Sequence, residues 1–140
     1  MSTLRLDTIQ DQSGSNASTP SEIFSGRAKA WVNFNGQGTV AIRASFNVSS
    51  ITDLGTGRYT INFTTAMPDT NYCWSCSTIG YDTSEGIMAV AANSSGNSTN
   101  YPPTSLLNTG YFSVQTPFQA DTTGRYLLFD AGGVCVAIFR

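Results

Sequence analysis

From residue 27 onward the chain alternates apolar and polar residues with a period of two, and this alternation limits the folds open to it. The clearest case is residues 40–48, in which five apolar residues alternate with small or polar ones. Successive side chains of a β-strand point to opposite faces of a sheet, so the pattern predicts strands that bury one face. Turn-forming residues at 35–38 separate this segment from a similar one, which predicts a half-buried antiparallel hairpin over residues 27–48.

The alternation continues towards the end of the chain. Further strands are predicted over residues 58–65, 71–79, 87–92, 110–116, 125–129 and 134–139. No helical pattern of 10–15 residues lies between them. We therefore expect an all-β fold, either an antiparallel β-sandwich or a barrel-like meander of about seven or eight strands.

The first 25 residues have a different character. Leu4 and Leu6 alternate with polar neighbours, which predicts a short strand over residues 3–9 before a polar linker. We expect an extended N-terminal arm with a short helix at residues 1–25, followed by one β-sandwich body at residues 26–140.

The helix at the end of this arm is predicted from its starting residues. Thr19 is a good capping residue, Pro20 fits the first helical position, and Glu22 stands three residues after the cap. Together they form the pattern of a capping box, so we expect one or two helical turns over residues 20–25.

Charged side chains are scarce and scattered. They make up 11% of the residues, whereas about 25% is usual in soluble domains. The seven Lys and Arg residues form no cluster, so we expect no binding to nucleic acid. No apolar run reaches the ~18 residues that a membrane span needs, so no membrane insertion is expected. A weakly charged surface is also typical of a chain that buries part of its surface in contacts with copies of itself.

The residue types that catalysis and metal binding require are few. The chain has no His, which excludes Ser-His-Asp and Cys-His arrangements. Cys73 and Cys76 are spaced as a metal or redox pair, but on a strand they point to opposite faces, and Cys135 is the one further thiol. The acidic residues stand mostly beside turn residues, which favours solvated carboxylates. We therefore expect no enzyme, no catalytic or metal-binding residue and no cofactor.

Two groups of residues are candidates for assembly. Leu4, Leu6 and Ile9 would let the arm add as a strand to a neighbouring protein. Trp31 lies on the polar side of its predicted strand and is a candidate subunit contact; the alternative is that it packs under a loop of its own chain. Arg43 is a second interface candidate, with a solvated arginine as its alternative.

The irregular segment at residues 93–108 is a candidate binding loop. It is rich in Asn, Ser and Gly and contains a tyrosine, a composition typical of adaptable binding loops. The alternative is a connection without a ligand. The residues that would contact a host surface glycan or protein are Asn97, Asn100, Tyr101, Tyr81 and Asp82.

Two parts of the sequence resemble a known group of proteins. Residues 26–36, 38–53 and 55–72 resemble tail-fibre and related virion proteins of bacteriophages, especially phages of marine and other aquatic bacteria. Residues 2–10 resemble an N-terminal strand common in these proteins. The resemblance implies a structural protein of the virion, often a trimer, and carries no catalytic motif.

The resemblance does not identify the station on the particle. We expect a phage tail-fibre or receptor-binding component, made in the host cytoplasm and located in the virion, in a tail or fibre rather than the head. The expected partners are copies of itself in a homotrimer, other virion proteins, and a host surface glycan or protein. Typical fibres are longer and have a shaft, which leaves open a capsid decoration (cement) protein or a tail-tip adaptor without a receptor role. An enzyme or an unrelated lectin is the remaining alternative.

Overall fold

The computed structural model describes residues 3–79, 107–120 and 126–140, and within these ranges it contains eleven strands and one short helix. In chain order the elements are β1 (Ile9–Gln10), β2 (Ala17–Ser18), α1 (Pro20–Gly26), β3 (Ala28–Asn35), β4 (Ala41–Phe46), β5 (Val48–Asp53), β6 (Arg58–Phe63), β7 (Cys73–Ile79), β8 (Tyr111–Gln115), β9 (Pro117–Ala120), β10 (Tyr126–Leu128) and β11 (Gly133–Phe139). The predicted all-β fold is confirmed.

Two antiparallel sheets form the body. The first sheet has four strands in the order β4-β3-β11-β7, and the second sheet has three strands in the order β5-β6-β8. The short pairs β1–β2 and β9–β10 form separate two-stranded sheets. The hairpin predicted over residues 27–48 corresponds to β3 and β4.

The two main sheets pack face to face around a core made of alternate residues. Phe34 of the first sheet meets Tyr59 of the second edge to face, with ring centroids 5.1 Å apart, and Trp74 contacts Phe112 at 5.4 Å. Burial of each large apolar side chain stabilises the fold by roughly 1.5–3 kcal/mol. The buried hydrophobic side chains of these strands are Ala30, Val32, Phe34, Tyr59, Ile61, Phe63, Phe112, Val114, Val134, Val136 and Ile138.

The chain crosses from the first sheet to the second at Asn47, between β4 and β5. Asn47 adopts φ 55°, a left-handed conformation that asparagine tolerates better than most residues. Its side-chain amide donates to the carbonyls of Lys29 and Thr65, both at 3.0 Å, and its Oδ1 accepts from the Thr65 N–H at 2.7 Å. One side chain therefore ties the corner to both sheets.

The prediction of one half-buried strand with a single apolar face over residues 40–48 is wrong. All six residues of β4, an edge strand of the first sheet, are exposed. A bulge in the β3–β4 pairing also breaks the alternation: Ile42 pairs with Phe34, whereas Ala44 pairs with Asn33, so the two apolar residues lie on opposite faces.

Buried hydrogen bonds hold the N-terminal end of β6, opposite the end that lies near Asn47. The Tyr59 hydroxyl donates to the Gly36 carbonyl at 3.0 Å and to Oδ1 of Asp130 at 2.9 Å. The same Oδ1 accepts from the Gly57 N–H at 2.7 Å. Gly57 has φ +63°, and a Cβ there would lie 2.7 Å from the backbone nitrogen of Phe129, so only glycine fits.

The N-terminal arm is less regular than predicted. Residues 3–8 form no strand, because no described residue pairs with them, and within the arm Ile9–Gln10 pairs with Ala17–Ser18. The helix prediction is confirmed: the Thr19 hydroxyl accepts from the Glu22 N–H at 3.2 Å, and the Glu22 carboxylate accepts from the Thr19 N–H at 2.7 Å.

Candidate assembly surfaces

The outer face of the second sheet is polar. Strand register places hydroxyl and amide side chains side by side across β5, β6 and β8. The Asn62 amide donates to the hydroxyls of Ser50 and Thr52 at 3.0 and 2.9 Å, and the hydroxyls of Thr60 and Ser113 lie 3.4 Å apart. These side chains are partly exposed and form hydrogen bonds with one another.

The outer face of the first sheet carries an apolar patch beside the polar residues Asn33, Ser75 and Ser77. Trp31 pairs with Phe46 of β4 on one side and with Ala137 of β11 on the other, so the three side chains share this face. Trp31 is 40% exposed and Phe46 is 50% exposed. The remaining outward residues of β11 are Cys135 and Phe139, and Ile79 of β7 is exposed at the sheet edge. The prediction that Trp31 lies on the outer side of its strand is confirmed.

Arg43 borders this apolar face. It is the bulged residue of β4, and its Nη2 donates to the Gly132 carbonyl at 2.6 Å while its Nη1 donates to Oδ1 of Asn33 at 3.3 Å. The guanidinium therefore reaches across β3 to the start of β11. Both of these acceptors are neutral.

The three cysteines are separate thiols in the structure. Cys76 faces the core side of β7, where burial raises its pKa to about 12, while Cys73 and Cys135 lie on the outer face of the first sheet. Cys73 and Cys76 point to opposite faces, as predicted from their spacing. A buried thiol with a raised pKa has little thiolate and is a poor nucleophile.

The arm residues proposed for assembly are exposed. Leu4 is 81% exposed, and Leu6 and Ile9 are each about half exposed. A turn separates them from α1: the Asp11 carboxylate accepts hydrogen bonds from Ser13, Ser15 and Asn16, which lowers the pKa of Asp11 to about 2. The leucines thus precede a locally ordered hairpin.

A cavity of about 720 Å³ opens at the end of the sandwich where α1 joins β3. Apolar side chains from α1, the β4–β5 corner and the β6–β7 connection form its walls. The lining residues are Phe24, Ser25, Arg27, Ala28, Lys29, Phe46, Asn47, Thr64, Thr65, Ala66, Met67, Pro68 and Arg140. Sequence reasoning missed this cavity, because its walls come from segments far apart in the chain.

Three cations stand at this cavity. Lys29 donates to the Phe24 carbonyl, and its Nζ lies 3.2 Å from the centroid of the Phe24 ring. Desolvation and the nearby Arg27 lower the pKa of Lys29. Arg140 forms an ion pair with Asp69 at 2.5 Å, which lowers the pKa of Asp69. The rim therefore combines three positive charges with one carboxylate.

The receptor-loop candidates Tyr81, Asp82, Asn97, Asn100 and Tyr101 lie outside the described residues. Over residues 3–79, 107–120 and 126–140, no three His, Cys, Asp or Glu residues form a group that could hold a metal ion. Nor does any helix in those ranges have the length and apolarity to cross a membrane.

Comparisons of the chain with protein family models, with curated proteins and with solved structures find no match.

Proposed function

We propose that the chain is a structural subunit of a bacteriophage particle and works as a homotrimer in a tail fibre or receptor-binding component. The resemblance of residues 2–10 and 26–72 to phage virion proteins supports the setting. The three-fold count comes from the same resemblance alone. In a trimer the contacts are heterologous, so the outer face of the first sheet would meet a different surface of the next copy.

The contrast between the two outer faces of the sandwich is the observation that carries this proposal. The second sheet turns a hydrogen-bonded polar face to solvent, whereas the first sheet exposes Trp31 and Phe46 side by side. Aromatic residues are enriched and charged residues depleted at the centre of protein interfaces. A contiguous apolar patch rimmed by polar groups marks a contact site for another protein. Arg43 at the border fits such a rim.

Light scattering on the purified chain tests the association. We expect a mass of about 45 kDa, three times the 14.9 kDa of one chain. The variant Trp31→Lys places a charge on the apolar face and should shift the mass towards one chain. The matched control Thr52→Lys adds the same charge to the outer face of the second sheet and should leave the mass unchanged.

Each variant is checked by thermal unfolding, so that loss of the oligomer is not confused with loss of the fold. Phe46→Lys, on the neighbouring strand of the same face, serves as a second variant. A wild-type protein that stays at 14.9 kDa at micromolar concentrations would contradict the proposal. So would equal effects of Trp31→Lys and Thr52→Lys.

Quantitative mass spectrometry of purified phage particles tests the location. A tail fibre component should be present in a few trimers per particle, whereas a head decoration protein would be present in hundreds of copies. Absence of the chain from purified particles would overturn the proposal of a virion role.

A further inference from the structure

The cavity beside α1 brings together cations that are scattered in the sequence. Of the seven Lys and Arg residues of the chain, Arg27, Lys29 and Arg140 line it. Arg140 is already paired with the carboxylate of Asp69. In the part of the chain that the structure describes, neither Arg27 nor Lys29 forms an ion pair with a carboxylate. Two positive side chains without a counter-charge from these residues therefore stand at the cavity wall.

These two cations lie close to one another. Both stand over the ring of Phe24, with Cζ of Arg27 at 5.3 Å and Nζ of Lys29 at 3.2 Å from its centroid. Desolvation, and then the charge of Arg27, lower the pKa of Lys29. An anion bound between two like charges offsets their repulsion, because it favours the charged form of both. The arrangement therefore favours an anionic occupant.

The same cations also have a structural role. Lys29 donates to the Phe24 carbonyl in the last turn of α1, and Arg27 is the first residue after that helix. Cations at this end of a helix stabilise it through the helix dipole. This role uses one donor of Lys29 and none of Arg27, whose guanidinium forms no hydrogen bond to another described residue. The planar donors of a guanidinium match the two oxygens of a carboxylate.

The rest of the cavity wall is mainly apolar. Phe46, Ala66 and Met67 supply apolar surface, and Thr64 and Thr65 each add a hydroxyl. The volume of about 720 Å³ lies within the roughly 300–1,000 Å³ of pockets that hold small ligands. Such pockets combine apolar walls with a few polar groups that fix the orientation of the ligand. An occupant with an apolar body and one negative group matches both parts of this wall.

We propose that this cavity binds a small organic carboxylate, with its apolar ring or chain against Ala66 and Met67 and its oxygens on the side chains of Arg27 and Lys29. This site goes beyond the proposed self-association, and its test does not require a trimer. Phe46 belongs both to the cavity wall and to the outer face of the first sheet, so the experiment leaves Phe46 unchanged.

NMR titration of the isotopically labelled chain with three small molecules tests the proposal. 3-Phenylpropionate carries an apolar ring and a carboxylate, 3-phenylpropanol has the ring without the charge, and acetate has the charge without the ring. We expect 3-phenylpropionate to bind at least about tenfold more tightly than either of the others, because it alone uses both parts of the wall. The amide signals that shift should include those of Ala28, Thr65 and Ala66.

Variants with matched controls locate the site. Arg27→Gln should weaken the binding of 3-phenylpropionate at least about tenfold. Arg5→Gln removes the same charge from the exposed arm and should change the affinity less than about twofold. Ala66→Trp places a large ring in the cavity, keeps both cations and should also abolish binding. Its control, Ala17→Trp, lies at an exposed position of β2 and should not.

Thermal unfolding of each variant separates binding from the structural role of the cations. If Arg27→Gln lowers the unfolding temperature and leaves the affinity unchanged, Arg27 serves the helix alone and the proposal is overturned. Equal affinities of 3-phenylpropionate and 3-phenylpropanol would overturn the anionic part of the site. Equal affinities of 3-phenylpropionate and acetate would mean an adventitious ion only, and the absence of any shift at the cavity would overturn the site as a whole.

Discussion

Single residues with unusual surroundings hold the corners of this sandwich. Asn47 and Tyr59 lie near opposite ends of β6, and each joins elements that are distant in sequence through hydrogen bonds of its side chain. Their surroundings arise only when the two sheets pack together. The sequence therefore carried no signal for either role, beyond the tendency of asparagine to adopt positive φ.

At Asn47 the contributions of the backbone and of the side chain to the free energy of unfolding can be separated. Asn47→Ala removes three side-chain hydrogen bonds and places alanine in a left-handed conformation, so we expect a loss of about 2–4 kcal/mol in the free energy of unfolding. Asn47→Gly loses the same hydrogen bonds, but glycine adopts the left-handed conformation without the steric cost of a Cβ. This variant should therefore be about 1 kcal/mol less destabilising than Asn47→Ala. Urea unfolding measures both. Equal losses would contradict the role assigned to the left-handed backbone.

At Tyr59 the hydrogen bonds predict a dependence on pH. Burial, and then the neighbouring Asp130, raise the pKa of Tyr59 well above its ordinary value of 10.0. A raised pKa in the folded state means that this stabilisation is fully present below pH 10 and is lost as the pH rises above it. Tyr59→Phe removes the donor to the Gly36 carbonyl and leaves Asp130 with the Gly57 N–H alone of these two donors, so the substitution should cost about 1–3 kcal/mol at pH 7.

The same comparison at high pH tests the predicted direction of this pH dependence. The difference in unfolding free energy between wild type and Tyr59→Phe should shrink from pH 7 to pH 11, because only the wild type loses the Tyr59 contribution. Tyr111→Phe, on the outer face of the second sheet, is the control and should cost less at pH 7. A difference that stays constant with pH would contradict the proposed cause.

At the scale of elements, alternation predicted the burial of the strands that lie inside a sheet and of the edge strand β8, but it failed for the edge strand β4. Val32 and Phe34 of β3, and Tyr59 and Ile61 of β6, are buried as their period of two indicates. Each of these strands has a neighbour on both sides and a sheet packed against one face, so the pattern of burial follows the pattern of sequence.

The edge strand β4 shows why the same reasoning fails elsewhere. Its apolar residues alternate as regularly as those of β3, yet all six positions are exposed and the bulge at Arg43 divides Ile42 from Ala44. The local sequence predicts neither the edge position nor the bulge, because both depend on which strands become neighbours.

The same limit applies to the candidate surfaces. The outward direction of Trp31 was predictable from one strand, whereas the cavity combines residues of α1, β3, the β4–β5 corner, the β6–β7 connection and Arg140. No short motif marks that set. The apolar face became visible only when the strand register placed Phe46 and Ala137 beside Trp31.

At the scale of the whole molecule, the two outer faces of one sandwich differ in polarity and predict that folding and association are linked. If the apolar face of the first sheet is covered only in the oligomer, dilution exposes it and destabilises the folded chain. The midpoint of thermal unfolding, Tm, of the wild type should therefore rise with protein concentration, by mass action between folded subunits. Calorimetry over a hundredfold range of concentration measures this rise.

Thr52→Lys should keep the same dependence of Tm on concentration, since it leaves the apolar face intact. Trp31→Lys should give a Tm that is independent of concentration and matches the wild type at high dilution. A wild-type Tm that does not change over that range would mean that the exposed Trp31 and Phe46 are stable in water, and the apolar face would then need another explanation than contact between copies.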